Sequence, residues 1–118
     1  MKRRAQSTCP ICYSLDIFGD KWTLLIIRDM LIGGKRYYRD FLNAREGIAT
    51  NILADRLKTM IEGGLITKTP DPGNGTQAIY SPTAKAEALR PVLTAMGDWA
   101  LKFGPEGLAL PEAVRRSA

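Results

Sequence analysis

Two cysteines near the start of the chain are the residues best suited to covalent chemistry. Cys9 and Cys12 form a CxxC motif, a spacing that serves dithiol exchange where a helix N-terminus lowers the thiol pKa. Thioredoxin-like enzymes use such a pair within a strand–helix–strand unit, and no such pattern surrounds this one. A dithiol enzyme is therefore the remote alternative.

Other catalytic side chains are scarce. The sequence has no histidine, which removes the usual general base and the commonest metal ligand. Two cysteines alone do not complete a four-ligand zinc site. Neither a glycine-rich phosphate loop, a nucleophile elbow nor a catalytic carboxylate pair is recognisable. We expect a protein that is not an enzyme and that uses no cofactor and no metal.

The composition indicates a single globular domain with a positive net charge. The 118 residues carry 17 Lys and Arg against 12 Asp and Glu, giving +5. Such a charge permits nucleic-acid binding but does not require it. No apolar run has the length of a membrane span, and the basic residues 2–4 are not followed by a signal-peptide core. The expected location is cytoplasmic.

Apolar spacing predicts four helices in the first half of the chain. They cover approximately residues 11–18, 21–32, 38–42 and 50–62. Asp20 is expected to cap the second helix, because its carboxylate can accept hydrogen bonds from the first free N–H groups.

The fourth predicted helix has two distinct sides. Its apolar stripe consists of Leu53, Leu57, Met60 and Ile61, and the opposite side carries Asn51, Asp55, Lys58 and Glu62. Gly63 and Gly64 end the helix, since glycine adopts the left-handed cap conformation without a Cβ clash.

The second half predicts a hairpin followed by one long helix. Residues 65–69 and 77–81 are strand candidates, and the intervening PDPGNG suggests a loop of more than two residues. Thr83 then opens a helix that reaches Phe103, with a kink at Pro91. The order of elements predicts an α+β, mainly helical fold: a winged helix-turn-helix with a β-hairpin wing.

Several motifs in this order make the chain resemble one bacterial family. They are Cys9-Pro10, GDKWTLLIIRDML (19–31), GKRYYRDF (34–41), GIATNILADRLKTMIEGGLI (47–66), YSPTAKAEAL (80–89) and PVLTAMGDWA (91–100). Together they resemble the HxlR-type winged-helix transcriptional regulators, relatives of the MarR group. The resemblance implies a DNA-binding domain over residues 9–103. A basic, flexible arm at 1–8 and a loosely ordered tail at 104–118 would flank it.

The resemblance also implies partners. Family members are homodimers that bind double-stranded DNA at a pseudo-palindromic operator and repress or activate nearby genes. Their N- and C-terminal helices form the dimer interface, for which the candidates here are Ile11, Leu15, Leu89, Val92, Leu93, Met96 and Trp99. An oxidant or small molecule of unknown identity is the expected kind of effector, and no membrane partner is expected.

In this family the fourth helix enters the major groove. Side chains there must be short enough to approach base edges and polar enough to bond them, and the candidates are Thr50, Asn51, Asp55 and Lys58. Asn51 suits adenine, whereas Asp55 is either a cytosine acceptor or an orienter of Arg56. The alternative for each of these residues is the ordinary solvated face of a surface helix.

A second group of residues would contact phosphates. The candidates are Lys35, Arg36, Arg39, Arg56, Lys68, Thr76 and Gln77. Family wings often carry arginines near the tip, but Gly73–Gln77 has no cation. Arginine insertion into the minor groove is therefore not expected. The rival interpretation is a winged-helix module that binds protein and binds DNA only weakly and non-specifically.

Cys9 matches a cysteine that some family members use to sense oxidants or electrophiles. It is therefore the redox-sensor candidate, and Cys12 is expected to pack. The alternative is that Cys9 is an unreactive cysteine at a dimer interface.

Overall fold

The computed structural model describes residues 8–110, and its elements follow the predicted order. They are α1 (Pro10–Phe18), α2 (Thr23–Leu31), α3 (Tyr38–Leu42), α4 (Thr50–Glu62), β1 (Ile66–Asp71), β2 (Asn74–Pro82), α5 (Ala84–Glu87) and α6 (Arg90–Phe103). The predicted α+β winged helix-turn-helix fold is confirmed. Most of the predicted N-terminal arm and the last eight residues of the predicted tail lie outside the described residues. No helix within 8–110 combines the length and apolar character needed to cross a bilayer.

Asp20 caps the second helix, although that helix begins later than predicted. Its carboxylate accepts hydrogen bonds from the backbone N–H of Trp22 at 2.9 Å and of Thr23 at 3.0 Å. The Thr23 hydroxyl donates to the same carboxylate at 2.6 Å. The helix starts at Thr23, since the residues before it form the turn that brings the carboxylate over the helix end.

The core lies between α2, α3, α4 and the hairpin. Its buried side chains are Ile26, Ile27, Met30, Phe41, Ile48, Leu53, Leu57, Met60, Leu65, Ile66, Tyr80 and Ala86. The rings of Phe41 and Tyr80 meet edge to face at 6.4 Å, which ties α3 to β2 with the geometry that aromatic pairs prefer.

Gly64 ends α4 as predicted. Its φ of +77° lies in the left-handed region, which glycine adopts without a Cβ penalty. The N–H of Leu65 donates to Met60 O at 2.9 Å, and the N–H of Gly64 donates to Ile61 O at 3.1 Å. These two bonds satisfy carbonyls at the end of the helix, and Leu65 is buried just beyond it.

The hairpin closes more tightly than predicted. Asp71 pairs with Asn74, so the connection is the two residues Pro72 and Gly73, and the expected longer loop is wrong. The carboxylate of Asp71 accepts the N–H of Gly73 at 2.9 Å, an interaction that favours a turn at this position. The register shifts next to Pro70, because proline has no N–H for the strand ladder.

The segment after the hairpin forms two helices instead of one kinked helix. Thr83 caps α5 by accepting the N–H of Ala86, and α6 begins at Arg90 with Pro91 in its first turn. The predicted single helix is wrong because proline is tolerated best in a first turn, where N–H groups have no intrahelical partner. Pro91 therefore starts a helix here and does not kink one.

Candidate nucleic-acid interface

The polar side of α4 is directed to solvent. Asn51, Asp55, Lys58 and Glu62 are exposed, while Leu53, Leu57 and Met60 are almost completely buried. The predicted two-sided pattern is confirmed, and Ile61 is half-buried against the core. Exposure leaves the amide of Asn51 and the ammonium group of Lys58 accessible to a ligand.

The first turn of α4 is held by α3. The Tyr38 hydroxyl lies 2.7 Å from Thr50 O and 2.6 Å from Thr50 Oγ1. A carbonyl oxygen can only accept, so Tyr38 donates to it. The Thr50 hydroxyl then donates to Tyr38 and presents its lone pairs to solvent.

Arg56 joins α4 to the N-terminus of α2. Its guanidinium lies 2.5 Å from the Asp55 carboxylate and 3.6 Å from the Asp20 carboxylate. The hydrogen bond from Arg56 lowers the pKa of Asp55. For Asp20, burial raises the pKa, but the hydrogen bonds from Thr23 and Trp22 and the charge of Arg56 outweigh it and lower the pKa. The arrangement agrees with the orienting interpretation of Asp55.

The three cations before and within α3 differ in their partners. The Lys35 ammonium lies 3.7 Å from the Asp29 carboxylate. Arg36 Nη1 donates to two carbonyls, those of Met30 and Lys35, at 2.9 and 2.8 Å. Arg39 is exposed.

Arg39 and Lys68 share a cleft of about 380 Å³ between α3 and the hairpin. Thr76 and Gln77 line it as well. The guanidinium of Arg39 lies 5.5 Å from the ring centroid of Tyr37, and the ammonium of Lys68 lies 5.9 Å from that of Tyr80. The structure thus brings four of the predicted phosphate-contacting residues to one concave surface.

Hydrogen bonds to Asp71 and Asn74 hold the hairpin next to this cleft in place. The Tyr37 hydroxyl donates to the Asp71 carboxylate at 2.9 Å, which raises the pKa of Tyr37. Asn74 Oδ1 accepts the hydroxyl and the N–H of Thr76 at 2.7 and 3.2 Å. These bonds fix the loop beside the two cations.

The arrangement of α3, α4 and hairpin is matched by one family model. The HxlR-like helix-turn-helix model covers residues 17–107, which include all three elements. The chain belongs to the HxlR-like helix-turn-helix family. This family consists of transcriptional regulators that bind DNA.

Relatives of this HxlR-like protein share most of its length. The uncharacterized HTH-type transcriptional regulator sll1512 of Synechocystis is 34% identical over 95 residues, which are 77% of this chain and 70% of the relative. The HTH-type transcriptional regulator YodB of Bacillus subtilis is 30% identical over 100 residues, 84% of this chain and 88% of YodB.

Solved structures agree with the fold. The crystal structure of PA1607 has a TM-score of 0.80 at 34% identity. The match covers 89% of this HxlR-like chain and 73% of the PA1607 chain. Reduced YodB has a TM-score of 0.67 at 26% identity, and the match covers 86% of this chain and 100% of the YodB chain.

The two thiols of the HxlR-like protein are both exposed, and neither is in a disulfide within the described residues. Cys9 immediately precedes α1, and the N–H of Tyr13 donates to its carbonyl at 3.1 Å. Hydrogen bonds from the backbone N–H groups of Cys12 and Ile11, and from the Cys12 thiol, lower the pKa of Cys9. An exposed thiol at a helix N-terminus is the setting in which the thiolate is favoured.

The predicted dimer candidates fall into two groups. Ile11, Leu15, Met96 and Trp99 are 70%, 54%, 52% and 67% exposed. Leu89 and Leu93 pack against the core, and Val92 is half-buried. The exposed group lies on the two terminal helices α1 and α6.

Two residues at this interface were not recognised from the sequence. Tyr38 packs against the core, and its hydroxyl reaches Thr50 at the surface. The residue type was the available signal: phenylalanine would suffice for packing, so a tyrosine indicates that its hydroxyl has a polar partner nearby. Lys85 was given no role, and it donates to Gly63 O at the end of α4 at 2.9 Å; no sequence signal links these residues.

Proposed function

We propose that this protein is a sequence-specific regulator that binds double-stranded DNA as a homodimer, with α4 in the major groove. The observation that carries the proposal is the exposed polar face of α4 beside a cleft that holds Arg39 and Lys68. A helix flanked by cations combines the two parts that DNA recognition needs, base readout and phosphate attraction.

The base-reading residues are those in the first turns of α4. The free amide of Asn51 suits adenine, to which asparagine bonds bidentately. Thr50 presents hydrogen-bond acceptors, because its proton is donated to Tyr38. It therefore suits a base amino group better than a phosphate. Lys58 reaches guanine or a phosphate, and Asp55 orients Arg56 or accepts from cytosine.

Phosphate contacts come from two groups of residues with different roles. Four residues line the cleft and would bind the DNA phosphates directly: Arg39, Lys68, Thr76 and Gln77. Lys35 would add a weaker contact, because its ammonium group is already paired with Asp29. Arg36 and Arg56 already hold protein acceptors. We assign them mainly to positioning α3 and α4, with their outer N–H groups left for phosphate.

A second copy of the chain would cover the apolar surface of α1 and α6. Exposed Ile11, Leu15, Met96 and Trp99 support this, since several large exposed apolar side chains are typical of an interface. A two-fold dimer presents two reading helices to two half-sites, which explains why a pseudo-palindromic operator is the expected target.

Cys9 is the proposed sensor of oxidants or electrophiles. Its exposure and lowered pKa support reactivity. The relative YodB has been crystallised in diamide-treated and quinone-bound forms. A quinone would add to the thiolate: the C–S bond forms as a ring C=C π bond breaks, and uptake of a proton by the ring oxygen leaves a hydroquinone thioether. Diamide would accept two electrons and two protons as two thiols form a disulfide, either between Cys9 and Cys12 or between subunits.

Lys85 of α5 bridges α1 and the end of α4, and this bridge offers a route from the thiol to the reading helix. The Lys85 ammonium donates to Gly63 O at the end of α4 at 2.9 Å, and it lies 3.3 Å from the Tyr13 hydroxyl on α1. Tyr13 adjoins Cys12 and is one helical turn from Cys9. A displacement at the beginning of α1 would therefore change the contact that Lys85 makes with the end of α4.

The proposal is tested by titrating the full-length protein on the DNA upstream of its own gene. Scrambled DNA of equal length is the control at the same moderate salt concentration. A large preference for the upstream DNA is expected, with the complex sedimenting as two protein copies per duplex. Equal and salt-labile binding to both would contradict the proposal and favour the protein-binding module, which the uncharged wing tip would suit.

A further inference from the structure

Ile52 stands apart from the other exposed residues of α4. It is a large apolar side chain that is 38% exposed and lies in the first turn of the helix. Its sequence neighbour Asn51 and its helical neighbour Asp55, three residues on, are both exposed and polar. Residues three apart on a helix lie side by side, so Ile52 borders the face proposed to read bases.

Position in the first turn decides what Ile52 would meet. When a helix enters the major groove, its N-terminal residues come against base edges. An aliphatic side chain pressed against base donors or acceptors would leave them without partners, which is costly. The apolar group that the major groove displays is the C5-methyl of thymine.

We infer that Ile52 specifies a thymine in each half-site by packing against its 5-methyl group. The inference rests on the proposed function, since it requires α4 to lie in the major groove. The ligand is a C5-methylated pyrimidine, so 5-methylcytosine at the same place would also be recognised.

The ordinary explanation for an exposed isoleucine is that isolated apolar residues on surfaces are common. Two features go beyond that explanation. β-Branched residues are weaker helix formers than alanine, so helix propensity does not favour isoleucine at this position. It also borders the polar reading face beside Asp55, where a solvated helix would carry another polar side chain.

The test removes the methyl group without changing base pairing. The full-length protein is used to select its tightest duplex from a randomised library, and each thymine is then replaced singly by deoxyuridine. At one position in each half-site, the wild-type affinity should fall by about threefold to tenfold, as expected for loss of one buried methyl group. Ile52→Ala should bind the thymine and deoxyuridine duplexes equally at that position.

Asn51→Ala is the matched control. It removes a polar group next to Ile52 and should keep the response to deoxyuridine while changing preference at another base pair. A converse probe places cytosine or 5-methylcytosine at the sensitive position. The methylated base should bind wild type more tightly than cytosine does, and Ile52→Ala should not distinguish them.

Several outcomes would overturn the inference. One is a duplex in which no single replacement of thymine by deoxyuridine lowers the affinity of the wild-type protein. This measurement does not depend on any variant folding. Another is a methyl preference that persists in Ile52→Ala. In both cases an enriched sequence leaves the proposed function standing. A selection that enriches no sequence at all would remove the proposed function together with the inference.

Discussion

The Tyr38 hydroxyl and Thr50 form a pair of short hydrogen bonds, 2.7 Å to the carbonyl oxygen and 2.6 Å to Oγ1. They fix the N-terminal turn of α4 relative to α3. Tyr38→Phe keeps the packed ring and removes both bonds. We expect the free energy of unfolding to fall by roughly 0.5–1.5 kcal/mol. The affinity for the selected duplex should fall several-fold more than that for scrambled DNA, as fluorescence anisotropy would measure.

Tyr37→Phe is the control for this prediction. Its hydroxyl bonds Asp71 in the hairpin, not α4, so it should change affinity for the selected and scrambled duplexes to the same extent. If Tyr38→Phe kept the full discrimination between the two duplexes, Tyr38 would contribute to stability without positioning the reading helix.

Gly64 and Gly63 make a second matched pair. Gly64 has a φ of +77° with open space where a Cβ would lie, whereas Gly63 has a negative φ, and a Cβ there would lie 3.4 Å from Thr59 O. Gly64→Ala should lower the free energy of unfolding by about 1–2 kcal/mol, the cost of a left-handed residue with a Cβ. Gly63→Ala should be nearly neutral, and urea unfolding would compare them. Equal effects would mean that the left-handed conformation is not the cause.

The parts of the fold that were predicted from the sequence depend on local chemistry. The apolar stripe of α4, the capping carboxylate of Asp20 and the end at Gly64 each involve residues within a turn or two of one another. The closure of the hairpin at Pro72 was missed because PDPGNG contains two competing turn signals, and the choice between them depends on the register of both strands.

The connections at the candidate site could not be predicted in the same way. Tyr38 with Thr50 and Arg56 with Asp20 are brought together by the packing of different helices, and no periodicity in the sequence encodes those distances. The same holds for the separation of α5 from α6. Pro91 was recognised as a disruption, but whether it kinks one helix or begins another depends on where the chain packs.

Acid should destabilise the protein through the pair of Arg28 and Glu46. Their two hydrogen bonds measure 2.9 and 3.0 Å, and the bond from Arg28 lowers the pKa of Glu46 from 4.5 to about 2. A lowered folded-state pKa contributes stability above the ordinary pKa, and that contribution is lost as the pH falls toward 2. The loss should be about 1–2 kcal/mol, because water screens this partly exposed pair.

Glu46→Gln isolates that contribution from those of the other carboxylates. The variant should be less stable than wild type at neutral pH, and the difference in free energy of unfolding should shrink as the pH is lowered from about 5 to 2. Chemical denaturation at a series of pH values would measure it. A difference that stayed constant with pH would show that the ionisation of Glu46 is not the source.

Cys9 should be the more readily modified thiol, and its modification should change DNA binding. Cys12→Ser retains the backbone N–H that is the largest cause of the lowered pKa of Cys9. In this variant, alkylation of Cys9 by iodoacetamide should therefore have its midpoint below the usual thiol pKa. Diamide or a quinone should alter the affinity of wild type for the selected duplex, and Cys9→Ser should abolish that response.

The comparison of the two cysteine variants distinguishes the chemical routes. If Cys12→Ser loses the response to diamide but keeps the response to a quinone, the disulfide joins Cys9 to Cys12, since quinone addition needs only one thiolate. If it keeps both responses, the disulfide joins the Cys9 thiols of two subunits, and non-reducing electrophoresis should show a covalent dimer. A response to both reagents that survives in Cys9→Ser would remove Cys9 as the sensor while leaving the DNA-binding proposal intact.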